Sequence, residues 1–403
     1  MKILWLTNIP VGNKISSTGS WLENLSKELE NVDNIDLIYC FPGKEKQSKK
    51  GIYTFDDKKN QEKFSKILLE EKVDLVHIHG TEMKHCLEMV MACKENRIPH
   101  IISVQGLVSI INKHLIADLP PKVIYGYTLR NLLLRDSIAG LKKQYRKKGE
   151  FEKKAIESTK YVIGRTMWDY ASVTEIKKEI KYFHCNEVLR DTFYSNQSWD
   201  FEKINPNTIF VSQASYSLKG LHYLLWAMPS ILSEYPNTKI KVAGKKMGKP
   251  TSLSEKLKET FYSKYLQKII KKYQLTNNIE FLGNLSAEEM RNQYLKAHLF
   301  VSLSTMENES NSLSEAKMLG TPSIASYVGG VVDRIKHGED GFLYQHNSTE
   351  MLSFYVKKIF SSDILAKKIS SNSVKNAKIL FNKNENVSNI LEVYQYVLFQ
   401  ENN

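Results

Sequence analysis

The chain has 403 residues, 42% hydrophobic and 25% charged, with a formal net charge of +13. That is too long for one ordinary core, so two domains are the expectation, and the balance excludes a fibrous or disordered chain. The basic excess points to an anionic partner (nucleic acid, a nucleotide sugar or an acidic membrane) without choosing among them.

Four cysteines, Cys40, Cys86, Cys93 and Cys185, form no Cys-x-x-Cys pair, so neither zinc nor a disulfide framework is suggested, and reduced thiols in the cytoplasm are the expectation. The apolar run at Ile3–Leu6 is too short for a signal peptide, and no stretch reaches the roughly 18 apolar residues of a membrane span. Any membrane contact would be peripheral.

In chain order, Ile3–Leu6 predicts a buried strand, followed by a loop through Gly12 and Ser16-Ser17-Thr18-Gly19 and a helix carrying Leu22, Leu25 and Leu29 on one face. This is the opening of a Rossmann-like half, yet no Gly-x-Gly-x-x-Gly is present and a dinucleotide cofactor is unsupported. Ile35–Tyr39, Val73–His79 and His100–Val104 predict further strands, the last ending in Gln105-Gly106-Leu107. His79, at a strand end, can touch a ligand or serve as a structural residue.

Between Tyr127 and Lys154 nine lysines and arginines, from Arg130 to Lys154, surround Leu132, Leu133, Leu134, Ile138 and Leu141. A helix there would be cationic and amphipathic, suited to an anionic membrane surface or simply a solvated face. No zinc finger, RRM or aromatic stacking motif accompanies the run, so nucleic acid is not expected. Tyr161–Ile163 predicts a short strand before Gly164-Arg165-Thr166, where Arg165 can pair with a phosphate or carboxylate or lie exposed. The Ser-, Asn- and Pro-rich stretch Ser195–Asn207 reads as the interdomain linker.

The second half repeats the plan. Thr208–Val211 predicts a strand, and Leu221, Leu224, Leu225 and Met228 a helix, with Lys219-Gly220 at its entrance. A lysine there can reach a diphosphate as a point charge. Strands follow at Lys239–Ala243 and Ile279–Leu282, the second running into Gly283. Met351–Leu380 shows helical periodicity, and Val387–Phe399 carries the apolar stripe Ile390, Leu391, Tyr394 and Val397.

The stretch from Phe300 to Leu343 constrains function most. Phe300, Val301 and Leu303 predict a strand, the polar run Thr305–Asn311 a loop, and Ser312–Leu319 a helix that Ser312 and Glu315 would open as a capping box. Pro322–Val328 then predicts a strand leading into Gly329-Gly330. Glu307 stands at the strand end and Glu315 in the first helical turn, where α/β sheets bind ligands. Amides around Asn311, Ser312 and Leu313 could hold a diphosphate, and a neighbouring carboxylate could accept from sugar hydroxyls. Glu315 has a second reading, as the reciprocal partner of the cap.

Glu307 and Glu315, with seven residues between them, followed by Ala316, Gly320-Thr321-Pro322 and Gly329-Gly330, resemble the nucleotide-sugar signature of the retaining family 4 glycosyltransferases. The inner residues Asn308-Glu309-Ser310-Asn311-Ser312-Leu313 depart from that family's Gly-Phe-Gly-Leu form and look like a branch attached to surface-polysaccharide pathways. The resemblance implies an α/β fold with two Rossmann-like domains facing across a cleft (GT-B). The domains would be 1–200, binding acceptor, and 201–383, binding a nucleotide sugar, with 384–403 as a helix that can cross back to the first.

It also implies roles. Glu307 would position the transferred sugar and Lys219 would contact the phosphates, these two carrying catalysis. The amides of Asn311, Ser312 and Leu313, the loop at Gly283 near the base, and Glu315 at the ribose would complete the donor site. Gln213 stands where relatives carry an arginine, which Arg165 could replace from across the cleft. Gly19, His79, Gln105 and Arg165 would serve the acceptor or sugar, Gln105 standing where many relatives carry a histidine. Glutamine can hydrogen-bond but cannot carry a proton near neutral pH.

Without an Asp-x-Asp pair, a Gly-x-Ser-x-Gly elbow or zinc-like spacing, metal or serine-nucleophile chemistry has little footing. The expectation is metal-independent, retaining transfer from a nucleotide sugar, a UDP-sugar above others, to a glycan or lipid-linked saccharide in cell-surface polysaccharide synthesis. The nucleotide sugar is a co-substrate and no cofactor is expected. The protein would be cytoplasmic or peripheral on the inner face of the membrane. A GT-B-fold UDP-sugar epimerase and a non-catalytic transferase-like partner subunit are the alternatives.

Overall fold

The computed structural model describes residues 1–11, 21–43, 51–56, 60–245, 247, 252 and 256–402; Gly19 lies outside them. The chain forms two compact units, Met1–Ile110 with Tyr145–Arg190 and Leu380–Asn403, and Ile111–Gln144 with Asp191–Ile379.

The first unit is built on a seven-stranded sheet of β1 (Lys2–Leu6), β2 (Asp36–Pro42), β3 (Ile52–Phe55), β4 (Leu75–His79), β5 (His100–Ser103), β6 (Tyr161–Gly164) and β7 (Lys181–His184), in the order β3-β2-β1-β4-β5-β6-β7. Each neighbouring pair is parallel. Helices on both faces explain why β4 is buried at every residue and reads as a continuous run rather than an alternation. The helix Lys383–Asn402 belongs to this unit. Its Tyr394 hydroxyl accepts from Trp5 Nε1 (3.1 Å) and bonds His77 Nδ1 (2.7 Å).

The second unit has six strands, β8 (Thr208–Val211), β9 (Lys239–Ala243), β10 (Ile279–Gly283), β11 (Leu299–Ser302), β12 (Ser323–Ser326) and β13 (Phe342–Tyr344), ordered β10-β9-β8-β11-β12-β13. All pairs are again parallel. The strand order reverses between β8 and β11, and the crevice at the carboxyl ends of two such adjacent strands is where open α/β sheets bind ligands.

Three expectations change. Ser195–Asn207 is folded onto the second unit rather than free, because Trp199 is buried and hydrogen-bonds Leu319 O through its amide (2.7 Å) and Ala297 O through Nε1 (2.8 Å). Residues 111–144 also join the second unit, where Leu119, Val123 and Ile138 enter its core. The basic stretch is two helices, Leu129–Leu134 and Ile138–Ser158, broken at Arg135 with φ 53°. The four cysteines are buried and unbonded.

Candidate active site

Lys219 and Glu307 meet at the β8/β11 crevice. The loop after β8 ends in a short turn, Ser217–Lys219, and Gly220 then takes φ 68° to start the helix Leu221–Leu232. Its Cα lies so close to Leu303 O that no side chain fits. The two loops are further tied by the Thr305 amide donating to Leu218 O (2.8 Å). This brings Lys219 Nζ to 2.6 Å from Glu307 Oε2, which also accepts from Ser304 Oγ at 2.9 Å. Both side chains are largely covered, at 18% and 19% exposure, so neither is a freely solvated charge.

Glu307 is held from behind by the glycine turn. The Gly330 amide donates to Glu307 O (3.1 Å), and Gly329, at φ 46°, lies against that carbonyl where a Cβ would collide. The Gly-Gly pair thus sets the backbone that aims this carboxylate. Tyr216 lies beside the ion pair; burial raises its pKa, with Lys219 opposing and Glu307 adding to the effect.

The following helix begins at Asn311, capped by Ser310, whose hydroxyl accepts from Leu313 N. Ser312 is therefore not the cap, and Glu315 is not the reciprocal member of a capping box; Ser310 sits two residues earlier and its third partner is Leu313. The Leu313 amide is also engaged by Ser310 O (2.9 Å), so Asn311 and Ser312 carry the amides without a carbonyl in their own helix. Glu315 is buried on the first turns at 4% exposure. Gly283, at φ 79°, faces open space, and Gln213 is exposed, its amide 3.5 Å from Ser215 Oγ.

Two buried ion pairs brace the same loop and helix. Glu309 pairs with Arg334 (2.9 Å) and Lys317 with Asp340 (2.8 Å), all four side chains at most 2% exposed. Burial lowers the Lys317 pKa, with Asp340 opposing.

In the first unit His79, Gln105 and Arg165 line one small cavity, about 20 Å³, together with His77, Ser103 and Glu187. Its chemistry differs from the expectation for Arg165. The guanidinium pairs with buried Glu187 and donates to Val104 O (2.8 Å) and Gln105 O (3.3 Å). Arg165, 5% exposed, is thus occupied in fixing the end of β5 and is not a phosphate-seeking cation. His79 is packed on Trp5 and His77, with ring centroids 4.4 and 3.8 Å away. Burial pushes its pKa well below the ordinary value, followed by His77 and Arg165.

The sequence reading missed Glu152. From the helix Ile138–Ser158 it accepts the amides of Val108 (2.8 Å) and Ser109 (3.0 Å) and the Thr81 hydroxyl (3.2 Å), joining the loops that follow β4 and β5. An acidic residue in a run already containing Glu150 gives no signal of this.

Residues 195–376 match the family described as Glycosyl transferases group 1, and they contain Lys219, Glu307 and Glu315. The matched residues lie within the second unit. Curated relatives align on part of their length. An uncharacterised glycosyltransferase of Methanocaldococcus jannaschii is 25% identical over 235 residues, 52% of this chain and 55% of that protein. YtcC of Bacillus subtilis, named as a glycosyltransferase, is 27% identical over 186 residues, 46% of this chain and 44% of that one. The chain spans about half the length of these relatives.

Among solved structures, sucrose-phosphate synthase of Thermosynechococcus elongatus is similar at TM-score 0.70 and 15% identity, over 99% of both chains. HepE of Anabaena, in complex with UDP and glucose, has TM-score 0.68 at 16% identity over 98% of this chain and 100% of that one. These likenesses establish the α/β fold with two parallel sheets. Among the described residues, no group of three or more His, Cys, Asp or Glu could hold a metal ion, and no helix is long and apolar enough to cross a membrane.

Proposed function

We propose that the protein is a retaining glycosyltransferase that moves a sugar from a UDP-sugar to a glycan or lipid-linked saccharide in cell-surface polysaccharide synthesis. The observation that carries this reading is the Lys219–Glu307 pair at the strand-order reversal of the unit that holds the group 1 match. Breaking the bond between the anomeric carbon and the donor phosphate leaves negative charge on the diphosphate and positive charge on the sugar. Lys219 and the Asn311 and Ser312 amides face the first charge and Glu307 the second, so the charges that develop meet preorganised partners.

An arriving diphosphate competes with Glu307 for Lys219, releasing the carboxylate to hold the sugar. Glu315 holds the ribose, and the loop at Gly283 borders the base. Lys219 and the helix amides take the charge-stabilising role without a metal. The first unit binds the acceptor, with Gly19, His79 and Gln105 as its contacts. The UDP complex of HepE supports the choice of nucleotide. The protein works in the cytoplasm, at the inner face of the membrane where a lipid-linked acceptor resides.

The test is a donor screen across UDP- and GDP-sugars with lipid-linked saccharide acceptors, following nucleoside diphosphate release and the product's anomeric configuration by NMR. Retained configuration, with release lost in Glu307→Ala, supports the reading. Inverted product would overturn retention, isomerised sugar formed from donor alone would identify an epimerase, and no release with any pair would leave a non-catalytic partner.

A further inference from the structure

Near Tyr125 to Leu134 the second unit is turned inside out. The helix Leu129–Leu134 buries only Asn131, whereas Leu129, Leu132, Leu133 and Leu134 are 60%, 64%, 74% and 59% exposed. Tyr125 and Tyr127, just before it, are 65% and 59% exposed. A surface helix ordinarily does the reverse, burying its apolar stripe.

The inversion is anchored by hydrogen bonds. Asn131 forms a capping box with Thr128, donates from Nδ2 to Asp136 (2.7 Å) and accepts the Phe261 amide (3.0 Å). The Thr128 hydroxyl donates to Glu259 O (2.8 Å). The polar face is thereby satisfied inside and the leucines are fixed outward. Leu257, two residues before Glu259 and 54% exposed, extends the apolar surface.

Exposed cations lie close in the chain to this patch: Lys122, Arg135, Lys142, Lys143, Lys256 and Lys258. The nearby acid Asp136 is neutralised by Arg130 at 2.7 Å. Contiguous apolar surface of this kind marks a docking site, and aliphatic and aromatic side chains bordered by lysine and arginine match the layered chemistry of an anionic bilayer surface.

We propose that this face inserts its leucines and tyrosines into the headgroup and acyl boundary of an anionic membrane, with the bordering cations on the phosphates. The inference refines the reading of a lipid-linked acceptor and rests on it only for its purpose, since bilayer binding is measured separately from sugar transfer. The anchor is the inverted helix and its tyrosines, and the helix Ile138–Ser158 contributes Lys142 and Lys143 to the border.

The experiment is flotation of the full chain with vesicles of phosphatidylcholine alone or with phosphatidylserine, for the wild type, Leu132→Ser/Leu133→Ser and Lys142→Gln/Lys143→Gln. The wild type should float with the phosphatidylserine vesicles. The leucine variant should bind at least about tenfold more weakly, and the lysine variant should lose about as much at low salt. Far-UV circular dichroism and nucleoside diphosphate release with a soluble acceptor should be unchanged in both.

Equal flotation of wild type and leucine variant would overturn the proposal. So would absence of flotation together with a wild-type dimer, seen by sedimentation, that the leucine substitutions dissolve, since that would assign the face to a second copy. Flotation without sugar transfer from any donor would refute the transferase reading and leave the bilayer site standing.

Discussion

Gly329 lies against the carbonyl of Glu307 so closely that it fixes where that residue's backbone runs. The glycine pair and the carboxylate, far apart in the sequence pattern, are one mechanical part. Its φ of 46° adds a second demand for glycine.

Gly329→Ala therefore costs twice, through the left-handed backbone and through the collision. The expected loss is about 1 kcal/mol of stability from the backbone alone, and a larger proportional loss of nucleoside diphosphate release as Glu307 shifts. Thermal denaturation and donor turnover measured on the same sample check this. Unchanged turnover would separate the glycine from the carboxylate.

Glu307→Ala should lower turnover by about 10²- to 10³-fold, the usual size for one charge-stabilising group, while the fold persists. Lys219→Ala should lower it comparably, and the double variant should fall little further, because the two act as one unit. Steady-state kinetics on the three variants decide the point, and effects that multiply would refute the shared role.

Lys317 and Asp340 make the opposite case, in which stability rather than turnover is at stake. Removing one partner of so deeply buried a pair strands the other, so Lys317→Met or Asp340→Ala should each cost about 3–5 kcal/mol. Replacing both by apolar residues should recover much of it. Urea denaturation of the singles and the double distinguishes a stranded charge from simple lost packing, which would give no recovery.

Acid should destabilise the fold through its buried histidines. Burial lowers the pKa of His77 to about 3 and those of His222 and His298 to about 4. Below the ordinary value near 6.5 the unfolded chain takes up protons that the folded chain refuses. Stability is therefore full above pH 6.5 and falls as pH drops towards 4, each such histidine contributing up to about 1.4 kcal/mol per pH unit. Denaturation midpoints at pH 7.5, 6.0 and 5.0 test this, and a flat profile would show that these rings protonate in place.

Most of the two sheets was legible because central strands such as Ile3–Leu6 and Thr208–Val211 are continuous apolar runs between loops. The three strands not foreseen are all at sheet edges. β3 and β7 are only partly covered, β7 having no buried residue, and β13 is three residues long. Glu307 and Lys219 could be singled out because strand ends are marked by the change from apolar to polar residues. The cap was misplaced because Ser310 and Ser312 both offer a hydroxyl, and Glu315 stands at the spacing that favours the wrong one. The pairing of Arg165 with Glu187, and of Glu309 with Arg334, joins residues over 20 apart with no periodicity to signal it, so only the folded chain reveals that Arg165 has no charge to lend. Residues 127–154 read as one cationic, amphipathic helix, and nothing in their order says that the polar side of Leu129–Leu134 faces inward.

The placement of Tyr394 against Trp5 and His77 bears on biosynthesis. A ribosome delivers the whole of 111–379, and with it every residue of the second unit, before the helix 383–402 has been made. The first unit, begun earlier, must wait with its central strands β1 and β4 lacking their last partner until that helix emerges. Nascent chains ending at residue 379 and held on the ribosome by an added linker long enough to span its tunnel should therefore resist protease in the unit that was started second.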